Sequence, residues 1–279
     1  MRGDLVMLYL PCPISVVDSI GMCLNLKAMQ NKFLNYYAEY QDDLYLLHRN
    51  RIDYIKQFVE IPSDDIYNDI YFDFSSLNLE NHILTNVINF KSYRKRLISK
   101  YLVTLDKNRI ERVDSGVFAQ SLALVDDDSF DYRKMDRVFK ELPDALFDDD
   151  LRKIIFFVLN KIRSFTGFSN FQLIVHHTFI FCENANIATN SPEGVHQDGM
   201  DFIMSAFVVE RKNVKGAKSI IYGGDKNNKL FECTLKDGQG ILQADLNTDL
   251  WHEVTEISQI DLNEMAYRSS IGFDVKVLQ

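Results

Sequence analysis

After about residue 170 the chain changes texture, and that change limits the possible folds more than any other feature. Seven short runs rich in β-branched and aromatic residues follow one another, at 171–175, 178–182, 202–209, 219–222, 230–234, 240–243 and 269–277. Turn-forming pieces separate several of them, namely Gly223-Gly224-Asp225, Asn227-Asn228 and Lys236-Asp237-Gly238. Many short strands at close spacing predict a sandwich or a barrel.

The first half reads differently. Between residues 24 and 60 the apolar positions Leu24, Ala28, Met29, Phe33, Leu34 and Tyr37, then Leu44, Leu47, Ile52 and Ile55, recur mostly at three- and four-residue steps. That is the helical period. A second such stretch runs from Asn81 to Leu102 through Leu84, Val87, Ile88, Phe90, Tyr93 and Leu97. A third helix is expected through Ile154, Phe157, Val158 and Ile162, entered by Asp148-Asp149-Asp150 where a helix N-terminus favours negative charge. Asp126-Asp127-Asp128 reads as a solvated turn, and Ile61-Pro62-Ser63-Asp64-Asp65 as a break. The expected organisation is α+β: a mainly helical part over residues 1–165 packed on an all-β core over residues 166–279.

Charge and cysteine usage exclude some function classes. A net charge of -9 argues against nucleic acid as a partner. The sequence contains no apolar run of membrane-spanning length, and Pro11 and Pro13 cut short the apolar opening, which makes a poor signal peptide. A cytoplasmic protein without a membrane partner is expected. Cys12, Cys23, Cys182 and Cys233 form no Cys-x-x-Cys pair, so no zinc ribbon or dithiol redox site is written here. Cys182, inside an apolar run, reads as a buried, reduced thiol.

Against that background one constellation carries chemistry. His196-Gln197-Asp198 is a His-x-Asp, which alone means little: six histidines among 40 acidic residues in 279 give roughly one such match by chance. Its context matters more. Asp198 precedes Gly199 and a predicted strand, His252 follows 56 residues downstream, and Arg268 enters the last strand. Side chains alternate along a strand, so positions 196 and 198 can face one barrel mouth. Two histidines and one carboxylate on one face of a metal, with three positions open, suit non-haem iron(II). The open positions admit a 2-oxo acid and oxygen, and a buried arginine can hold the far carboxylate of that acid by a bidentate fork. Turn capping by His196 and Asp198, an interface role for His252 beside Trp251, and an ordinary ion-pair role for Arg268 are the competing readings.

The string Pro192-Glu193-Gly194-Val195-His196-Gln197-Asp198-Gly199-Met200-Asp201 resembles the iron(II)/2-oxoglutarate dioxygenases, and within them the bacterial L-isoleucine and L-leucine hydroxylases. The pieces Glu210–Gly216, His252-Glu253-Val254-Thr255 and Tyr267-Arg268 follow in that group's order. The chain departs from the group at Ala217, after Gly216 where a second glycine is usual, and in the strand Val175-His176-His177-Thr178, where the group often shows a polar or arginine residue. The resemblance implies a double-stranded β-helix (jelly roll) core, with His196, Asp198 and His252 as iron ligands and Arg268 on 2-oxoglutarate. It further implies iron(II), 2-oxoglutarate and oxygen, used to hydroxylate an unactivated C–H of a small molecule, expected to be a free aliphatic L-amino acid. Asp201 is the candidate for the substrate ammonium, Arg211 for its carboxylate, and an apolar channel is expected to lead the side chain to the metal. Hydroxylation of a peptide or carrier-bound aminoacyl group, and a metal-binding jelly roll without turnover, are the alternatives. His176 and His177 alternate faces of a strand, so at most one can look into the barrel.

Overall fold

A computed structural model describes residues 14–61, 65–118, 135–183 and 186–278. The opening segment with Cys12, Pro62-Ser63-Asp64 and the Asp126-Asp127-Asp128 run lie outside the described residues.

In chain order the strands are β1 (Ile14–Asp18), β2 (Gln41–Asp42), β3 (Arg94–Thr104), β4 (Arg109–Val113), β5 (Asn170–Cys182), β6 (Phe202–Lys212), β7 (Val214–Gly216), β8 (Lys218–Gly223), β9 (Asn228–Thr234), β10 (Gln239–Ala244), β11 (Leu250–Val254), β12 (Ile257–Gln259) and β13 (Ala266–Val277). The α-helices are α1 (Leu26–Asn35), α2 (Leu44–Ile55), α3 (Asp65–Asn68), α4 (Asn81–Asn89) and α5 (Asp149–Thr166). The main sheet runs β1-β10-β6-β13-β5-β3-β2, with β4 paired to β3; β11-β8-β9 and β12-β7 form two smaller sheets. All these strand pairs are antiparallel. Antiparallel sheets with few helices fit a jelly roll.

The central strands of the main sheet are buried on both faces, and their alternation sorts two environments. Leu173, Val175 and Phe179 of β5 join Ile271, Phe273 and Val275 of β13 in the main core with α1 and α5. His176, Thr178, Ser270, Gly272 and Asp274 of the same strands turn to the other face, where they line a cavity. α5 covers the core face because Leu151, Ile154, Ile155, Val158, Leu159 and Ile162 fall on one stripe. Its start is set by Asp148, whose carboxylate accepts the Leu151 N–H at 2.9 Å, a cap worth about 1 kcal/mol. A second apolar cluster, including Ala206, Val208, Ile221, Leu235, Ile241 and Leu250, seals the main sheet against β8 and β11.

The expectation of a mainly helical part through residue 165 needs correction. β1, β2, β3 and β4 all belong to the main sheet, and the stretch expected to be helical to Leu102 is helix only to Asn89. From Leu97 onward every second position is buried in one row, Leu97, Ser99, Tyr101 and Val103, while on the other face Ile98 is buried and Leu102 exposed. That period of two suits a strand, and β3 matches β5 residue for residue from Arg94↔Ile180 to Thr104↔Asn170. The runs 171–175 and 178–182 are one strand, and β11 and β12 escape notice because each is short.

The departure at Ala217 has a visible backbone setting. Gly216 (φ 84°) and Ala217 (φ 53°) both occupy the left-handed region, where glycine is the low-cost residue. A Cβ on Gly216 would come within 2.1 Å of the Glu256 carbonyl oxygen, so that position admits glycine alone. Cys182 is buried, its thiol pointing at the Ile257 carbonyl 3.3 Å away and pushed up to about 11 by burial. Among the described residues no helix is long and apolar enough to cross a membrane.

Candidate metal centre and its cavity

Two residues far apart in sequence meet here through the backbone. His196 and His252 sit opposite each other in an isolated antiparallel bridge and exchange both N–H···O bonds at 2.9 Å. This pairing projects both imidazoles to one side, with ring centroids 4.3 Å apart. Asp198, two residues on, returns to the same side: its oxygens lie 3.5 Å from His196 Nε2 and 3.4 Å from His252 Nε2. One donor atom from each of the three lies within 4.8 Å of the others, and no other group of three or more such residues gathers among the described residues. Three donors on one side with an open cavity in front could hold a divalent cation.

The charges at this point are strongly interdependent. Burial raises the Asp198 carboxyl, but hydrogen bonds from and the charges of His196 and His252 outweigh it and hold the group well below the usual range. Burial lowers His196, but Asp198, Glu193 and the Gly194 carbonyl outweigh it and lift the imidazole to about 9. Burial and the charge of His196 push His252 down.

A second layer of residues fixes the first. Asp245, fully buried, accepts three successive backbone amides on one oxygen: Asp198 at 3.0 Å, Gly199 at 2.7 Å and Met200 at 3.1 Å. Gly199 at φ 84° allows the turn that aims all three at one atom. The other Asp245 oxygen lies 4.0 Å from His252 Nδ1. Burial and the charge of Asp198 raise the Asp245 carboxyl to about 8. Gln197 reaches the other way, its amide donating to the carbonyls of Asp245, Thr248 and Leu250 at 3.1, 3.0 and 2.7 Å. Asp245 and Gln197 therefore tie the His196–Asp198 turn to the segment that enters β11 and carries His252. Asp245→Ala leaves three partly buried amides without that acceptor, at a cost of up to about 1–3 kcal/mol each. Metal affinity in that variant is expected to fall about 10–100-fold, and calorimetric titration with manganese(II) checks it.

Arg268, at 1% exposure, stands two residues before Ser270 on the face of β13 that Ser270, Gly272 and Asp274 give to the cavity, but it is not itself one of the residues lining that cavity. Its Nε, Nη1 and Nη2 all lack a hydrogen-bond partner. Burial, and then the charge of Arg211, depress the guanidinium to about 9. A buried cation with its whole fork unused is costly unless an anion joins it.

The structure does not bring the two other predicted residues to the cavity. The Asp201 carboxylate accepts the Val277 N–H at 2.7 Å, which pins the start of β6 to the end of β13. Arg211 is the cross-strand partner of Arg268, but its guanidinium donates to the Gly216 carbonyl at 2.8 Å and its own N–H to Asp237 at 2.8 Å. Neither side chain lines the cavity that holds His196, Asp198 and His252. The expected apolar channel is also short: Phe118, Met204 and Val254 are the main apolar groups of a lining otherwise dominated by charged and hydroxyl side chains. His176 faces this cavity, with Nε2 3.0 Å from Asp274, while His177 is buried in the core against Phe33. The sequence carried no signal for Asp245, which sits at the end of an ordinary strand. Arg96 and Arg137 also line the cavity, from segments that the sequence reads as helix or leaves unassigned.

The comparisons with known proteins agree with this geometry. The fold is similar to that of a BsmA homologue from Methylobium petroleophilum PM1, with a TM-score of 0.64 at 16% identity over 95% of this chain and 88% of that one. It is also similar to IDO from Bacillus thuringiensis, with a TM-score of 0.54 at 12% identity over 91% of this chain and 100% of that one. At these identities the likeness is one of fold. No curated protein matches by sequence. The family of 2OG-Fe dioxygenases matches residues 73–274, well over half of the chain and all of the segment that carries the triad and Arg268. With iron(II), 2-oxoglutarate and oxygen as that family's cofactor and co-substrates, the protein is an oxygenase and belongs to the 2OG-Fe dioxygenase family.

Proposed function

We propose that the protein hydroxylates an unactivated C–H of a free L-amino acid, with His196, Asp198 and His252 holding iron(II) and Arg268 holding 2-oxoglutarate. The observation that carries this assignment is Arg268. A buried guanidinium with three orphaned nitrogens, on the cavity face of a strand, fits a co-substrate with a second carboxylate. The triad fits the metal by its donor set, two imidazoles and a carboxylate on one side.

When bound, iron(II) with 2-oxoglutarate and oxygen supplies the oxidising power for C–H hydroxylation, with succinate and carbon dioxide as by-products. The chain's own residues orient and enclose. The His196–His252 backbone pairing fixes the angle between the two imidazoles, and Asp245 fixes the turn from which Asp198 projects. The main sheet with its helices excludes water from one side of the site.

The amino-acid assignment rests on the resemblance of the 192–201 string to amino-acid hydroxylases, and on a lining that offers both signs of charge. Glu193, which lines the cavity, is the carboxylate we assign to the substrate ammonium in place of Asp201. Phe118, Met204 and Val254 are the surfaces available to an aliphatic side chain. Substrate-dependent succinate release is expected with a free aliphatic L-amino acid and not with its N-acetyl form, which lacks the positive charge. Equal stimulation by both would remove the free amino acid and favour a peptide or carrier-bound substrate.

A further inference from the structure

The cavity floor holds a carboxylate that the metal centre does not use. Asp274, on β13, lines the cavity and is 8% exposed. Its Oδ2 lies 3.0 Å from His176 Nε2. Its Oδ1 has no hydrogen-bond partner among the described residues, and it is not sealed from solvent. Among the described residues no lysine or arginine pairs with this carboxylate. A carboxylate taken so far out of water is costly unless a cation or further donors join it.

Strand register explains how the pair arises. His176 on β5 stands opposite Gly272, and Asp274 opposite Ile174, so imidazole and carboxylate are diagonal neighbours on one face. Gly272 brings no side chain to that face. Phe118 meets the His176 ring edge-on with centroids 5.1 Å apart, and Nδ1 is enclosed without a partner. The imidazole therefore makes its one hydrogen bond by donating from Nε2 to Asp274. That bond fixes the carboxylate and leaves Oδ1 available. Arg96, the nearer of the two cavity arginines on β3, aligns with Thr178 and Ser270. That row is four residues along β13 from Asp274, about 13 Å at the rise of a strand.

We propose that Asp274, positioned by His176, binds a hydrogen-bond-donating group, an ammonium or a hydroxyl, at the far end of the substrate's side chain. The substrate class narrows to amino acids whose aliphatic chain ends in such a donor, and this rests on the amino-acid reading above. Glu193, on the segment before His196, is assigned to the α-ammonium, and Asp274 on the floor strand takes the other end. Two carboxylates from separate parts of the chain, besides the metal ligand, suit a substrate with two donors. Phe118, Met204 and Val254 remain for the carbon chain between them. Asp245 and Asp274 act on each other as like charges, which favours an ammonium over a hydroxyl. A plain hydrocarbon end would bury Oδ1 without a partner, at the desolvation cost of an unmet acceptor.

The test is isothermal titration of the protein loaded anaerobically with iron(II) and 2-oxoglutarate. The titrants are pairs of equal shape that differ only in the donor. L-ornithine is set against L-norleucine, L-lysine against L-2-aminoheptanoic acid, L-homoserine against L-norvaline, and L-threonine against L-valine. 5-Aminopentanoic acid and hexanoic acid form a pair without an α-amino group. In at least one pair the donor-bearing member is expected to bind at least about 10-fold more tightly than its hydrocarbon twin, the value of a charge-assisted contact. Asp274→Asn keeps the size and an acceptor for His176 but removes the charge. In it an ammonium preference should fall about 10-fold, while the twin keeps its affinity and 2-oxoglutarate binds within about two-fold of the parent. Asp274→Leu removes the acceptor too and should abolish a hydroxyl preference. His176→Phe leaves Asp274 unheld and should reduce the preference, and His176→Gln, which restores an N–H donor, should recover part of it. A merely structural role for either residue would weaken both members of a pair alike and leave their ratio unmoved. Should Asp274→Leu not fold, Asp274→Asn decides, since it keeps the bond to His176. No preference in any pair overturns the proposal, as does a preference that the Asp274 variants leave intact. Binding of none of these compounds overturns it too. If hydrocarbon amino acids bind and their donor-bearing twins do not, the amino-acid reading stands and the Asp274 site falls. If 5-aminopentanoic acid alone binds, with the same Asp274 dependence, the amino-acid reading falls while the Asp274 site stands.

Discussion

Asp198→Ala is expected to abolish iron(II) retention and substrate-dependent succinate release together. Asp198 lies within 3.5 Å of both imidazoles, and among the described residues no other acidic oxygen joins a donor cluster with them. Loss of a direct ligand should exceed the about 10–100-fold that outer-shell changes cost in metal affinity. A second readout is thermal. A ligand at 100 times its Kd stabilises the folded state by about 2.7 kcal/mol, so manganese(II) should raise the melting temperature of the parent protein and leave that of Asp198→Ala unmoved. The apo variant should still fold, because the two histidines are held by their own backbone pairing. An Asp198→Ala protein that gains the same stability from manganese(II) would remove the triad as the metal site.

Arg268 gives the second large effect, and its sign differs between two measurements. Arg268→Met replaces a buried cation without a hydrogen-bond partner by an apolar group of similar length. Removing an unpaired buried charge relieves a desolvation cost, so the apo protein is expected to melt at a higher temperature than the parent. The same change should weaken 2-oxoglutarate binding by about 10–100-fold or more, since a charged, bidentate contact is lost. Arg268→Lys keeps the charge but not the fork, and its affinity should fall between the two. A purely structural arginine would behave oppositely, with loss of stability and unchanged 2-oxoglutarate affinity. Melting curves with and without 2-oxoglutarate on the manganese(II)-loaded proteins read both effects at once.

The relation between Arg268 and Arg211 shows why local reading falls short at the substrate end. Both stand on adjacent strands as direct partners, and from sequence both are plausible cations for a carboxylate. In the structure Arg211 is engaged by the Gly216 carbonyl, which it meets because the chain turns at Asn213 (φ 52°) between β6 and β7. Asp201 is similar. Its place three residues beyond Asp198 suited an ammonium, yet its carboxylate closes the β6–β13 edge through the Val277 amide. The Asp201 partner is 76 residues away in the chain and the Arg211 partner lies across a turn, and neither contact is reported by the alternation of a strand.

What the sequence determined alone is local and periodic. Alternation in β5 and β13 put His176 and His177 on opposite faces, and the apolar stripe of α5 with Asp148 before it marked a helix and its start. The order of the strings around His196, Asp198, His252 and Arg268 pointed to the family, because those residues are spaced for donors on opposed strands. Tertiary structure alone decided the rest. β3 became a strand because an eleven-residue ladder to β5 outweighs a weak helical period in 81–102. The His196–His252 bridge and the Asp245 clamp on three amides each need groups from separate parts of the chain to meet. Long-range hydrogen bonding and burial select those meetings, and both act on the folded arrangement rather than on any single segment.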